Sequence, residues 1–437
     1  MDVKLERKIK YGICFFLMFA VLLSDKDVLK RIPGNSNTKL TIGVFSDSYR
    51  GTPNGFAHKI INDAIEKYEK DHPDIEVIYE TGILKEDYSE WLAEQIMQGK
   101  APDVFFILPE DFNTLHDVGA LENMDDFIRS DGEFDKDRFY EAAYNSGRVD
   151  ESQYSLPFEC TPELMFVNRT LLDSEGISMP KQDWTWDDLL RICKIASKDR
   201  DLNGTPDHYG VARYGWQEAF ASNDVTLFNE EGTECYFTDE KVSDALSFLD
   251  AIDEYSIGNT ATEDYFEHGD VVFQPMYYSN YRAYELNPIH ASRYAEFNWG
   301  YLTMPAGDKG DNSSMLDTLS VAMYSGSTMK KEAWDMIKIL IGDEEIQSEI
   351  FEYSEGVSPV KKITENELMK DSEQSYESVT YAMEHAVTDH RFYGYNEALN
   401  AVDISVQEIL NSNGNIRMDQ IIQSRSINTF LKTLNNN

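Results

Sequence analysis

Between residues 40 and 108 the hydrophobic pattern changes period four times, and this alternation restricts the fold more than any other feature. "LTIGVF" at 40–45 is a short apolar run suited to a buried strand. In residues 56–71, "FAHKIINDAIEKYEKD", Phe56, Ile60, Ala64 and Tyr68 recur at helical spacing with Ile61 and Ile65 beside them. "IEVIYE" returns to strand, and 86–98 return to helix with Trp91 and Ile96 as candidate core residues. After Gly99, "APDVFFIL" supplies a third strand. Strand, helix, strand, helix, strand predicts an α/β domain with a mainly parallel sheet.

Beyond that block the pattern loosens. In "YSLPFECTPELMFVN", Pro157 is expected to break a strand before an apolar segment resumes at 164–167. Helices are expected at 168–176, at 185–197 with Thr185 as cap, and at 238–255 with Thr238 or Asp239 as cap. Strand-like material returns in "VVFQPMYY", "FNWGYLTMP" and "TLSVAMY", and the chain after 330 reads as largely helical. A chain of 437 residues exceeds one compact core, so two domains are expected.

Charge and cysteine content narrow the function. Lysine plus arginine number 39 against 79 aspartates and glutamates, a net charge of −40 that opposes binding to nucleic acid or an anionic membrane surface. Residues 1–24 join a basic start (Lys4, Arg7, Lys8, Lys10) to the apolar "YGICFFLMFAVLL", the pattern of a signal peptide or signal anchor. Residues 25–37 read as a polar linker. The leader predicts an exported chain. The mode of attachment stays open, because Ser24 stands where a lipoprotein signal would place a cysteine. Cys14 falls in the leader, and Cys160, Cys193 and Cys235 lack metal-ligand spacing and read as buried thiols.

Motifs for catalysis are scarce. "GTPNG" lacks the lysine of a phosphate-binding loop, and neither a His-Glu-x-x-His nor a Gly-x-Ser-x-Gly pattern occurs. In "DRDLNGTPD", Asp199, Asp201, Asn203, Thr205 and Asp207 alternate around Gly204 like the opening of a calcium loop. Gly210 stands where the closing glutamate would be. Structural calcium and a plain polar turn both fit; no cofactor is required.

Aromatic residues beside polar ones offer the better site. A sugar ring has apolar faces for an aromatic plane and hydroxyls for carboxylates or amides. Such pairings occur at Asp47–Tyr49, at Trp216–Glu218, in "QPMYYSNYRAY" with Tyr277, Tyr278 and Tyr281, at Trp299–Tyr301, and at Phe392–Tyr395.

The ordered segments "FAHKIINDAIEKYEKDHPDIEVIYE", "GKAPDVFFI", "YSLPFECTPELMFVNRTLLDSEGI", "WTWDDLLRICK", "YFEHGDVVFQPMYYS", "WGYLTMPAG" and "EGVSPVKK" resemble those of extracellular solute-binding proteins of bacterial ATP-driven sugar importers, the broad class that includes maltodextrin-binding proteins. The likeness covers about residues 38–430. It implies a two-lobed periplasmic-binding-protein-like α/β fold with hinge crossings and a ligand cleft between the lobes. The first lobe would hold 38–156 plus 282–325, and the second 157–281 plus 326–437. Crossings would fall near 157–159, 275–281 and 322–326. Carried over by local pattern, Asp47, Tyr49, Glu110, Glu159, Trp216, Tyr277, Tyr278, Asp317 and Tyr393 would meet the ligand, with Trp299 as a further aromatic candidate. The resemblance implies a monomer without catalysis that binds a carbohydrate, an oligosaccharide, and delivers it to a transmembrane permease. A membrane-tethered solute sensor of the same fold and a secreted glycoside hydrolase are the alternatives.

Overall fold

The computed structural model describes residues 38–47, 49, 58–197, 206, 208–257, 264–286, 297–388, 391–412 and 414–434. The leader and linker at 1–37 and all five residues of the expected calcium loop lie outside the described residues.

The alternating block builds a parallel sheet in the order β2-β1-β3, with β1 at Thr38–Gly43, β2 at Ile75–Tyr79 and β3 at Val104–Ile107. Helices Lys59–Asp71 and Lys85–Met97 make the crossovers. The first buries Ile60, Ile61, Ala64 and Tyr68, as its spacing predicts. The second is rotated from expectation: it buries Tyr88 and Leu92, whereas Trp91 and Ile96 only flank the core. The Tyr88 hydroxyl explains the rotation, lying 2.9 Å from the Gly43 carbonyl and 3.0 Å from that of Phe106, so one turn of helix is tied to the strand ends.

After a short hairpin of β4 (Arg148–Val149) and β5 (Ser152–Gln153), the 14-residue β6 runs from Ser155 to Asn168 and is buried along its whole length. The other strands are β7 (Tyr209–Val211), β8 (Val271–Tyr277), β9 (Trp299–Leu302) and β10 (Leu316–Met323). Antiparallel β10 joins β3 to the first half of β6, from Ser155 to Pro162. From Glu163 onward β6 pairs instead with β8, and from Met165 with β9. One strand therefore belongs to two lobes. Pro157 does not break it. It faces Ser320 where the register of β10 shifts between Leu319 and Ser320, and a proline lacking its N–H is tolerated at such an irregularity.

Two large apolar cores follow from this split. The first gathers β1–β3, the end of β10 and helix Lys330–Gly342, whose Trp334, Ile337 and Leu340 are buried. The second gathers helices Trp186–Ala196 and Glu240–Asp253 with the C-terminal pair Tyr395–Leu410 and Ile416–Leu434. A third, smaller cluster lies at the junction and includes Cys160, Phe166, Tyr278, Tyr301 and Met383. These memberships move the lobe boundaries from their expected places. Residues 330–363, drawn with the second lobe from sequence, pack in the first core, while Leu302 and Met304, drawn with the first, pack in the second. The helix follows directly from β10, and Asp131 takes hydrogen bonds from both Trp334 and Lys338 on it, which holds it against the first sheet.

Local details agree with the sequence where the signal is local. Thr185 closes a capping box with Asp188, and Asp239 rather than Thr238 caps helix Glu240–Asp253. Cys160, Cys193 and Cys235 are buried. Among the described residues no helix is long and apolar enough to cross a membrane.

Candidate functional site

The chain passes between the lobes along three adjacent segments. Glu163 N–H donates to Met315 O at 2.9 Å, Val387 N–H to Ser314 O at 2.9 Å, and Leu316 N–H to Val387 O at 3.2 Å. Residues 161–163, 303–316 and 384–388 are thus the crossings, laced together by these bonds. They differ from the positions expected from sequence. β10 has already crossed when it begins, and Tyr278 opens a helix, Tyr278–Leu286, that stays with the junction cluster.

Two cavities open beside this hinge and share Trp216 and Gln217. The first, of about 410 Å3, lies between helix Glu141–Asn145 and the segment Trp216–Phe228, with Met315 and Val387 of the hinge in its wall. The second, of about 430 Å3, is bounded by Glu163, Arg213, Glu218, Tyr277 and Asp403. Each falls within the usual size of small-molecule sites, about 300–1,000 Å3. Trp216 divides them from the start of helix Trp216–Ser222, and its indole N–H donates to Asp403 Oδ1 at 2.9 Å.

The second cavity is electrostatically tense. Burial, and then the charge of Glu218, push the Glu163 carboxyl well above the usual carboxylate range, while Arg213 pulls the other way. Burial also raises Glu218, offset by the Gly215 N–H that donates to its Oε2 at 2.8 Å and by Arg213. Arg213 (φ 56°) and, beside the first cavity, Asp224 (φ 53°) both adopt left-handed backbone. Non-glycine residues held there are strained, and such strain gathers at functional sites.

The sequence-derived candidates divide into groups. Trp216 and Tyr277 come together on the second cavity. Asp47, Tyr49 and Glu159 line a separate, much smaller pocket of about 50 Å3 against the first core. There the Tyr49 hydroxyl donates to Asp317 Oδ1 at 2.8 Å, the Lys85 N–H to Asp47 Oδ1 at 2.6 Å, and the Ser354 hydroxyl to Glu159 Oε2 at 2.6 Å. Tyr278 lines neither large cavity. Its ring is turned into the junction cluster at 1% exposure, stacked on Tyr281 and edge-on to Tyr301. Trp299 stacks on Phe166 in the same region. Phe392 is buried in the second core, whereas its neighbour Tyr393 is exposed. Glu110 sits on an exposed turn, where its carbonyl accepts from Asn396 of the opposite lobe at 3.3 Å.

Arg391 reinforces that contact. It donates to Ser146 O at 3.1 Å and Pro109 O at 3.4 Å, with its guanidinium 4.7 Å from the Phe112 ring centre. The lobes thus touch at one rim while the hinge closes the other side. Among the described residues no group of three or more His, Cys, Asp or Glu could hold a metal ion.

Glu163, Arg213 and Asp403 were not singled out from sequence. The available signal for Glu163 was a carboxylate inside an otherwise apolar strand run. Asp403 carried none, since acids on helices are everywhere in this chain.

A profile of the bacterial extracellular solute-binding protein family matches residues 56–347, well over half of the chain. A binding protein of Brucella abortus (strain 2308) is 25% identical over 261 residues, which cover 56% of this chain and 59% of that one; the match thus spans less than two thirds of the curated relative. Among solved structures, an ABC substrate-binding protein of Listeria monocytogenes in complex with cycloalternan superposes with a TM-score of 0.69 at 20% identity, covering 91% of this chain and all of that one. The sugar-binding protein MalE of Xanthomonas citri gives 0.71 at 16%, covering 91% and 98%. The cyclic α-maltosyl-1,6-maltose binding protein of Arthrobacter globiformis gives 0.74 at 15%, covering 91% and 100%. At such identities the structural likenesses establish the two-lobed fold.

Proposed function

This chain belongs to the family of bacterial extracellular solute-binding proteins, and we propose that it binds a carbohydrate, an oligosaccharide, between its lobes and delivers it to the permease of an ATP-driven importer. The observation that carries this reading is Trp216. It stands between two cavities at the hinge, with carboxylates lining both and the apolar Phe220 and Leu227 in the first. An indole beside carboxylates and an arginine is the chemistry that grips a sugar ring by face and edge. The similar structures with named sugars support the ligand class.

Function follows from closure, not from bond making. A ligand held by one lobe gains contacts from the other as the hinge closes, and it shifts that equilibrium only by its preference for the closed state. The leader at 1–24 would export the chain to the extracellular face of the membrane, by cleavage or as an anchor.

The test is a thermal-shift screen of mono- and oligosaccharides on residues 38–437, followed by calorimetry of the hits with Trp216→Ala. Stabilisation by a sugar, with affinity at least tenfold weaker in W216A, is expected. Stabilisation by a non-carbohydrate solute class alone would overturn the ligand assignment. Product released from an oligosaccharide would instead revive the hydrolase alternative.

A further inference from the structure

The charge of the ligand can be read from Glu163, an inference that rests on the carbohydrate reading above. Glu163 is 8% exposed, yet it lines the second cavity, and its Oε2 meets no hydrogen-bond partner among the described residues. A buried carboxyl oxygen without a hydrogen-bond partner is unfavourable. A position like this persists when something outside the chain completes it.

Four elements round Glu163 contribute titratable or charged groups to this cavity, while helix Tyr278–Leu286 adds only Asn280. Helix Trp216–Ser222 supplies Glu218, helix Tyr395–Leu410 supplies Asp403, β8 supplies Tyr277, and the segment after β7 supplies Arg213. Tyr214 stands close behind, its hydroxyl accepting from the Trp186 indole N–H at 2.9 Å. Arg213 is the only cation among the described lining residues, against the carboxyls of Glu163, Glu218 and Asp403. The adjoining cavity adds Glu141, Asp224 and Glu384, with no lysine, arginine or histidine among its described lining residues.

We propose that this cleft selects a sugar bearing a protonated amine, with the ammonium group seated against Glu163 beside Glu218 and Asp403. An ammonium brings three donors and a positive charge, and so satisfies both the unpartnered oxygen and the excess of carboxylates. A neutral hydroxyl brings one donor and leaves the excess in place. The pH dependence follows. In the ligand-free cleft, burial and mutual repulsion hold a proton on the Glu163–Glu218 pair, and an ammonium displaces it. Affinity for the amino sugar therefore rises with pH through the titration of the pair, until the sugar amine itself loses its proton.

The experiment is calorimetry on the full-length protein with matched pairs: glucose and glucosamine, galactose and galactosamine, mannose and mannosamine, cellobiose and the disaccharide of glucosamine. Wherever a pair binds, the amino member should be at least tenfold tighter at pH 7. That preference should shrink towards pH 5, and it should fall to parity in Glu163→Gln. Glu218→Gln is the second variant if E163Q does not fold, and it should narrow the preference in the same direction. Neutral members binding as tightly as their amino partners would overturn the proposal while leaving the carbohydrate reading intact. If no sugar of either kind binds, the carbohydrate reading falls and this inference with it.

Discussion

At the scale of single residues, two carboxylates place opposite demands on stability. Glu163 has its folded-state value raised above the ordinary 4.5 by burial and by Glu218. A raised carboxyl is harmless when protonated, so its cost is absent in acid, appears as pH climbs above the unfolded value and is complete above the folded one. Glu163→Gln should therefore unfold at higher urea concentration than the parent at pH 8, with the gap closing by pH 4. Parallel pH profiles for the two proteins would refute that account. Asp131 behaves in reverse. Lys338 and Trp334 hold its carboxyl down at about 2, so the stability it contributes is present above 3.8 and is lost as pH falls towards 2. Asp131→Asn should cost about 1 kcal/mol at pH 7, a modest figure because water reaches Lys338 and competes for the pair. Chemical denaturation at pH 7 and pH 2.5 checks both size and sign. The sequence marked neither residue, because a carboxylate's role depends on partners distant in the chain.

At the scale of elements, what lies within a few residues could be read directly. The capping box at Thr185 was legible from Thr185 and the helical pattern after it, and Thr185→Ala should destabilise by about 1 kcal/mol in urea titration. Gly210 could not be read in that way. A Cβ on Gly210 would stand 2.3 Å from Cys193 Cβ and 2.6 Å from its Cα, so β7 and helix Trp186–Ala196 approach at backbone distance. Gly210→Ala must push the helix off the strand, and a loss of about 1–3 kcal/mol is expected, as for other overpacked sites. An unchanged melting temperature would show that the contact yields freely. Pro157 and helix Lys85–Met97 taught the same lesson from the other side. Pro157 signals a broken ladder, yet the irregularity was supplied by β10 opposite it. Apolar spacing placed the second helix correctly, but its rotation was set by Tyr88 reaching two strand-end carbonyls.

At the scale of the whole molecule, closure should be governed by the hinge of three laced segments and by the rim contact of Arg391 with Ser146 and Pro109. Arg391→Ala removes that contact without touching either large cavity. It should raise the ligand-free radius of gyration in small-angle X-ray scattering and speed ligand release severalfold; scattering identical to the parent would mean that the rim does not bias closure. The sequence by itself determined the α/β alternation of the first block, several caps, the buried thiols and the family, because periodicity and short motifs report what a segment buries and how it starts. Tertiary structure alone decided that β6 serves both lobes, that helix Lys330–Gly342 returns to the first, and that Glu163, Glu218 and Asp403 converge beside Trp216. Those facts depend on pairings between segments far apart in the chain, and hydrophobic spacing says which face of a segment is covered, never which segment covers it.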